Sequence, residues 1–220
     1  YTRGRERSRS PENIVEEVYK LADEGFRQVT LLGQNVNSYK YEQHDFAHLL
    51  EQVASVPGIE RIRFTSPHPK DFPRNLLEVI SSNDKVCKQI HLPLQAGNDR
   101  VLEMMNRTYT RKEYMKLVDE IRTLYPNMAL STDIIVGFPT ESAEEFDETA
   151  EIMEEVEYDS AFIFKYSERP QTIAKRKFPD DVSEGEKKRR IVQLNEIQKR
   201  NSYKKNLAHI GETQEVLLEK

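Results

Sequence analysis

The amino-acid sequence predicts an α/β fold in which parallel strands and helices alternate, arranged either as an open doubly wound sheet or as a barrel. Two patterns support this class. Short runs of β-branched and aromatic residues alternate with longer amphipathic stretches. Polar segments containing glycine or proline follow the strand-like runs. The length of 220 residues suits one domain of this kind.

The helices are predicted from apolar residues at helical spacing and from their end signals. The first begins at Pro11, because Ser10 is a favoured N-cap residue and proline is tolerated in the first helical turn. Gly25 ends it. Further helices are expected over residues 46–53, 76–81, 100–105, 111–124, 143–156 and 184–207.

Five strands are predicted in series with these helices, at residues 28–32, 61–66, 89–94, 129–136 and 160–165. Residues 213–218 are predicted to form one further, isolated strand. Because the series opens with a helix, we expect a first strand before Tyr1 and a further element after Lys220. The sequence is therefore interpreted as a segment of a larger protein.

The loops after the five strands are the places to look for chemistry, since both architectures bind ligands at the carboxyl ends of parallel strands. In chain order these loops read GQNVNSY, SPHP, QAGND, GFPTE and YSERP. Every one of these loops contains polar residues. This pattern favours a ligand-binding site at the strand ends over loops that serve only as turns.

Charge is strongly segregated along a chain whose net charge is -5. Residues 141–159 contain ten acidic residues and no lysine or arginine, whereas residues 165–209 contain thirteen basic and six acidic ones. The average argues against a general nucleic-acid binder. The basic segments are open to two interpretations: solvated helix faces, or contacts to nucleic-acid phosphates at both ends of the chain.

Cys87 is the only cysteine, which excludes an intramolecular disulfide, a cysteine-only zinc site and an iron–sulfur cluster held by this chain alone. No apolar run is long enough to span a membrane, so we expect a soluble, intracellular protein. Phosphate-loop, dinucleotide-binding, HExxH and GxSxG signatures are absent.

Three smaller groups of residues are candidate sites. His44 and His48 have i, i+4 spacing, but a surface pair is favoured over a metal site. Cys87 and His91 are too far apart along an extended segment to act as a nucleophile pair. Glu141 is equally well interpreted as a helix-capping residue or as a ligand contact.

Seven segments, taken in order, resemble the methylthiotransferase branch of the radical S-adenosylmethionine (SAM) enzymes: YTRGRERSR, LLGQNVNSY, TSPHP, HLPLQAGND, MNRTYTR, STDIIVGFPTE and FKYSERP. The resemblance covers nearly the whole chain. LLGQNVNSY is similar to the tRNA enzymes that methylthiolate isopentenyl-modified adenosine beside the anticodon. Relatives acting on threonylcarbamoyl-adenosine or on a ribosomal-protein aspartate carry different residues there.

This resemblance implies a partial (βα)6 barrel, with the five predicted strands matching its second to sixth. Residues 1–208 would form the barrel, and residues 209–220 would begin the C-terminal TRAM β-barrel. The family's cofactors are SAM and two [4Fe-4S] clusters, and its partners are tRNA and an electron donor. The family's CxxxCxxC motif and auxiliary cysteines are missing here, so we expect this segment alone to be inactive.

The resemblance also implies which residues bind the cofactor. Gly33, Gln34 and Asn35 would meet the methionine part of SAM, and Gln95 with Ser131 or Asp133 would lie near the ribose. The remaining positions would lie around the adenine: Gly137, Phe138, Pro139, Glu141, Phe164 and Tyr166. Thr140 and Gln171 depart from the family, which usually has glycine at both places.

RNA contacts are implied for basic residues near both ends of the chain: Arg3, Arg5, Arg7, Arg9, Lys187, Lys188, Arg189 and Arg190. No side chain of this chain is expected to be catalytic or to bind a metal, because the cofactors carry the bond-breaking chemistry. One competing hypothesis is a noncatalytic RNA-binding or regulatory fragment. Another is a methylthiotransferase that acts on threonylcarbamoyl-adenosine or on a ribosomal protein, and a third is an unrelated α/β barrel that binds a phosphorylated metabolite.

Overall fold

The computed structural model describes residues 7–65 and 67–218. Helices in this part of the chain are α1 (Pro11–Asp23), α2 (Phe46–Ala54), α3 (Arg74–Ser82), α4 (Asp99–Met104), α5 (Arg111–Leu124), α6 (Ala143–Val156), α7 (Ile173–Lys177) and α8 (Glu184–Ala208). Strands are β1 (Gln28–Leu31), β2 (Lys40–Tyr41), β3 (His44–Asp45), β4 (Arg61–Phe64), β5 (Gln89–His91), β6 (Ala129–Val136) and β7 (Ser160–Lys165). None of these helices is long and apolar enough to cross a membrane.

The helices begin where local hydrogen-bonding signals place them. The side chain of Ser10 accepts the Asn13 N–H at the start of α1, as its N-cap position requires. Helices α5 and α6 each begin with a capping box, built from Thr110 with Glu113 and from Ser142 with the glutamate three residues later. These signals explain why the predicted starts of α1, α5 and α6 are confirmed.

Five of the strands are parallel and follow one another in chain order. β1 pairs with β4, while β5, β6 and β7 form a three-stranded sheet. A single parallel bridge between Ile62 and Val86 joins the two groups. The order is therefore β1–β4–β5–β6–β7, with at least one helix between successive strands, which is the arrangement predicted for a partial barrel.

The two faces of the strands differ in burial. Alternate residues of β6, such as Leu130 and Ile134, are fully buried in the apolar core beneath the helices. Asp133 lies on the opposite face, and we call this the inner face. Its register partner Phe162 lies on the same face and is exposed. The inner face therefore carries polar and aromatic side chains that are not buried in the apolar core.

Two parts of the chain differ from the sequence prediction. The strand predicted over residues 213–218 is wrong, because these residues have no regular secondary structure and no neighbouring strand pairs with them. Instead, the carbonyl of Glu215 accepts a hydrogen bond from Arg61 at 3.2 Å. The loop after β1, predicted as irregular, contains a 3-10 turn (Val36–Ser38) and the β2–β3 hairpin. The assignment of residues 209–220 to a second domain stays a prediction.

Candidate functional site

A cleft of about 180 Å³ opens beyond the carboxyl ends of β1, β4 and β5 and reaches Asp133 on the inner face of β6. Three of the predicted SAM-binding residues line it: Gln34, Gln95 and Asp133. The other residues that line it were not predicted as site residues: Pro67, His68, Pro69, His91, Pro93, Arg107 and Tyr109. A cleft is therefore present near the predicted strand ends, and its lining includes further side chains from the loops after β4 and β5; binding of SAM there stays a prediction.

His91 links the inner faces of β5 and β6. Its Nδ1 lies 2.9 Å from the hydroxyl of Ser131, and its Nε2 lies 3.2 Å from a carboxylate oxygen of Asp133. Ser131 is its direct register partner. The imidazole therefore fixes the orientation of two predicted cofactor-binding side chains, of which Asp133 lines the cleft and Ser131 is buried.

The loop after β5 is held against β6 by backbone hydrogen bonds. Gln95 donates its N–H to the Asp133 carbonyl at 2.8 Å and accepts one from Ile135 at 2.9 Å. Its φ of 70° lies in the left-handed region, which is uncommon for a residue other than glycine. Gly97, two residues later, donates its N–H to the Thr149 hydroxyl of α6 at 2.8 Å. The loop therefore presents the Gln95 side chain to the cleft from a rigid backbone.

Arg107 and Tyr109 form the far wall of the cleft. The Tyr109 hydroxyl donates to the carbonyls of Pro93 and Leu94, each at 3.0 Å, and burial raises its pKa to about 12. It therefore remains a donor at neutral pH. The Nε of Arg107 is buried and has no hydrogen-bond partner among the described residues. An unpaired guanidinium N–H beside a cleft suits a carboxylate ligand, and the methionine part of SAM carries one.

The GFPTE loop after β6 is buried rather than open to the cleft. Phe138 packs edge-on against Tyr166, with ring centroids 5.1 Å apart. Glu141 accepts the Gly137 N–H at 2.5 Å and a hydrogen bond from Arg190 at 2.6 Å. Burial raises the pKa of Glu141, although these two donors oppose that effect. Glu141 therefore holds its own loop in place, and Ser142, not Glu141, caps α6.

Thr140 and Gln171, the two residues that depart from the family pattern, have backbone conformations with positive φ, which glycine adopts most easily. Their φ angles are 67° and 69°, in the left-handed region where a β-branched residue is an outlier. Thr140 is held there from both sides. Its carbonyl accepts a hydrogen bond from Arg100 at 2.7 Å, and its N–H donates to Asp181 at 2.7 Å. The substitutions therefore leave the loop conformation in place and add strain.

The remaining predicted cofactor residues fall into two environments. Gly33 is exposed in the loop after β1, and Asn35 is half-buried beside it. Gly137 and Pro139 are buried in the GFPTE loop. Phe164 is 54% exposed on β7, where its register with Ile135 places it on the inner face. The residues predicted to lie around the adenine are therefore not among those that line the cleft, and their role stays a prediction.

Two predicted RNA contacts are wrong, because Lys187 and Arg190 point into the protein. Lys187 is 1% exposed, and its Nζ binds both carboxylate oxygens of Asp180 at 2.6 Å. It packs beside Gly137, where an added Cβ would lie 2.4 Å from the Lys187 Cγ. Arg190 is also buried and forms an ion pair with Glu141. The sequence shows that a residue is charged but not whether a distant carboxylate neutralises it inside the fold.

The other predicted RNA contacts lie at the surface or outside the described residues. Lys188 is exposed, and Arg189 pairs with Glu186 at 2.7 Å. Arg7 is exposed, while Arg9 pairs with Glu17 at 2.6 Å. Arg3 and Arg5 lie outside the residues that the structure describes. Contacts of these surface residues with RNA stay a prediction.

The segregated charges seen in the sequence meet across the interface of α6 and α8. Arg200 pairs with Glu154 at 2.7 Å, and Lys204 pairs with Glu157. Lys205 pairs with Asp159 at 2.8 Å, just beyond α6. Much of the basic charge of α8 is therefore matched by the acidic segment and does not face solvent as an open cationic surface.

Iron–sulfur cluster ligands are not found in the described part of the chain. Within residues 7–65 and 67–218, no group of three or more histidine, cysteine, aspartate or glutamate side chains could hold a metal ion. His44 and His48 stack face to face with ring centroids 4.5 Å apart. Cys87 is a half-buried free thiol. The described residues therefore offer no ligand set for an iron–sulfur cluster.

Comparisons with known proteins agree on one family. Residues 1–153 match the radical SAM superfamily. The chain is 51% identical over its whole length to the tRNA-2-methylthio-N(6)-dimethylallyladenosine synthase of Clostridium botulinum (strain Okra / Type B1) and covers 49% of that protein. It is 49% identical to the synthase of the same name from Pelotomaculum thermopropionicum, again over the whole chain and 49% of the relative. The chain thus spans about half the length of these curated relatives.

Among solved structures, the chain is similar in fold to coproporphyrinogen III oxidase (HemN) from Escherichia coli, described as a radical SAM enzyme. The match has a TM-score of 0.56 at 16% identity and covers 91% of this chain and 45% of that one. At this identity the likeness concerns the fold alone, and it agrees with a partial barrel of parallel strands.

Proposed function

Because the chain belongs to the radical SAM superfamily, we propose that it forms the SAM-binding barrel of a tRNA methylthiotransferase acting on dimethylallyl-modified adenosine. The whole-chain identity of 49–51% to synthases with that printed activity supports the substrate. The observation that carries the proposal is the cleft at the strand ends, which is lined by Gln34, Gln95, Asp133 and Arg107. The Nε of Arg107 has no hydrogen-bond partner among the described residues.

In this proposal the side chains of the cleft bind and orient SAM. Arg107 holds the carboxylate of its methionine part, beside Gln34. Asp133, oriented by His91, accepts hydrogen bonds from the ribose hydroxyls. The GFPTE loop supports the adenine side, because Glu141 and Lys187 fasten it from behind. Positioning of this kind lowers the entropic part of the barrier.

The bond-breaking chemistry belongs to the cofactors. SAM, when bound, supplies the methyl group and, with iron–sulfur clusters, one-electron chemistry. The described residues hold no cluster ligand set, so we assign them no step in that chemistry. We place the reaction in the cytoplasm, on the anticodon stem-loop of tRNA, with an external electron donor. The exposed cations Arg7, Lys188 and Arg189 remain proposed RNA contacts.

The proposal is tested with the full-length protein, reconstituted anaerobically with iron and sulfide and supplied with reductant and SAM. The substrate is tRNA that carries dimethylallyladenosine beside the anticodon, and its nucleosides are analysed by mass spectrometry. We expect the 2-methylthio derivative. Matched tRNA without the dimethylallyl group serves as the control. Modification of threonylcarbamoyl-adenosine or of a ribosomal protein in its place would overturn the substrate assignment.

A further inference from the structure

The segment between β7 and α8 carries a cluster of exposed cations. It contains the short helix α7, and Arg169, Lys175, Arg176 and Lys177 are all exposed. Lys175 forms an ion pair with Glu168 at 3.1 Å. Within the described ranges, the side chains of Arg169, Arg176 and Lys177 have no ion pair and no hydrogen bond. Three uncompensated positive charges thus lie within nine residues of a chain whose net charge is -5.

This cluster differs from the other basic surfaces of the protein. On α8, Arg189, Arg200 and Lys204 are paired with glutamates. On α5, Arg111 binds both Glu148 and Glu151 of α6. A cation already paired with a carboxylate contributes less to an external phosphate contact, because the existing pair must be broken. The α7 segment therefore offers cationic groups that need no such exchange.

The cluster lies beside the mouth of the barrel. Phe178, directly after α7, packs against Phe138 of the GFPTE loop with ring centroids 6.3 Å apart. Two further cations belong to the loops at the cleft: Arg107, which lines it, and the exposed Lys70, which follows the lining residue Pro69. Lys70 also has no ion pair within the described residues. Exposed positive charge therefore lies both on the segment that packs against the GFPTE loop and next to the residues that line the cleft.

Helix α7 is held in one orientation despite its length of five residues. The Thr172 side chain caps it by accepting the Lys175 N–H at 3.3 Å. Ala174 and Phe178 pack against the apolar core, so this side of the segment faces inward. The cations stand on the exposed side. An anchored helix presents its charges at fixed positions, and less entropy is lost when a partner binds.

We propose that Arg169, Arg176 and Lys177 form a contact surface for the phosphate backbone of RNA at the rim of the barrel mouth. This inference rests on the proposed function and locates the RNA on the α7 segment rather than on the buried Lys187 and Arg190. An adenosine must leave its stack to reach a cleft at this depth, and backbone contacts beside the mouth hold the flanking nucleotides while it does so.

The test measures tRNA binding by the full-length, reconstituted protein as a function of salt. The variant Arg176→Gln/Lys177→Gln removes two charges from the cluster. The control, Lys20→Gln/Lys199→Gln, removes two exposed charges from α1 and α8, away from the mouth; Lys20 is paired with Glu16, and Lys199 has no ion pair among the described residues. Kd for tRNA is measured by fluorescence anisotropy at several salt concentrations, and the thermal unfolding midpoint checks that each variant is folded.

We expect Kd for the α7 variant to rise roughly tenfold and the slope of log Kd against log salt to fall by roughly 1.5–2, the loss of two phosphate contacts. The control should stay within about twofold of the wild type. Equal effects in both variants, or wild-type affinity and slope in the α7 variant, would overturn the inference. If the wild-type protein modifies tRNA and the α7 variant binds tRNA normally, only this inference is overturned. If the wild-type protein modifies no tRNA, the proposed function is overturned as well.

Discussion

Arg190 on α8 donates a hydrogen bond to the carboxylate of Glu141 at 2.6 Å, and both side chains are buried, with exposed fractions of 4% and 1%. Glu141 also accepts the N–H of Gly137. One ion pair therefore ties the last helix of the barrel to the loop that follows β6. The loop owes its position at the mouth to a residue far away in the sequence.

Substitution of Arg190 by methionine leaves the Glu141 carboxylate buried without its cation. We expect a loss of about 3–5 kcal/mol in the free energy of unfolding, as for other buried pairs that lose one partner. Arg189→Met is the matched control, because Arg189 pairs with Glu186 at the surface and should cost less than about 1 kcal/mol. Urea unfolding of both variants measures the difference. Equal losses would contradict a fastening role for Arg190.

The stability of the protein in acid should depend on Glu186. Hydrogen bonds from Arg189 and Arg190 lower the pKa of Glu186 to about 2, against 4.5 in the unfolded chain. A depressed pKa contributes stability that is present above pH 4.5 and is lost as the pH falls towards 2. The difference in unfolding free energy between wild type and Glu186→Gln should therefore narrow between pH 5 and pH 2. A difference that stays constant over this range would refute the prediction.

Gly97 permits the loop after β5 to lie directly on α6. An added Cβ would lie 2.5 Å from the Cα of Thr149 and 2.6 Å from the carbonyl oxygen of Glu148, both backbone atoms. We expect Gly97→Ala to destabilise the protein by about 1–3 kcal/mol. At Gly185 in α8 the nearest atom to such a Cβ is 3.9 Å away, so Gly185→Ala should be stabilising by up to about 1 kcal/mol. Thermal unfolding distinguishes the opposite signs, and two equal shifts would contradict the contact argument.

Gln171 stores backbone strain that glycine would release. Its φ is 69° and its side chain is exposed. We expect Gln171→Gly to stabilise the protein by about 0.5–1 kcal/mol, the steric relief minus the added flexibility of the unfolded chain. Lys199→Gly, in the interior of α8, should destabilise it by a similar amount. A denaturant titration measures both variants. A loss of stability in both would contradict the prediction, because it would mean that the backbone strain at Gln171 does not lower the free energy of unfolding.

The sequence predicts the strand–helix series of the barrel well because each element has its own local signals. Residues such as Ser10, Thr110 and Ser142 cap helices through contacts within one turn. The predicted strand at residues 213–218 failed for the opposite reason. A strand depends on a neighbour, and β-propensity alone does not supply one. Helix α7 was missed because five residues are too few to show a helical period.

The candidate site was predicted only in part. Gln34 and Gln95 come from the loops after β1 and β5, and Asp133 lies within β6. His91, the last residue of β5, lines the same cleft and was not predicted. Arg107 and Tyr109 reach the same cleft from the segment between α4 and α5, which no strand-end rule identifies. The misassignment of Arg190 has a related cause, since its partner Glu141 is 49 positions away.

The central claim is that the mouth at the strand ends binds SAM, and Gly33 tests it most directly. Gly33 is exposed in the loop after β1, and an added Cβ would lie 3.1 Å from the Cα of Val36. Valine there should displace the loop that carries Gln34 and block close approach of the ligand to the backbone. The measurement is equilibrium dialysis of labelled SAM against the reconstituted full-length protein, with Gly185→Ala as the control and Gln34→Ala as a second variant that leaves the backbone unchanged. We predict loss of SAM binding in Gly33→Val, a weaker loss in Gln34→Ala and wild-type binding in the control. Wild-type SAM affinity in both loop variants would contradict the account.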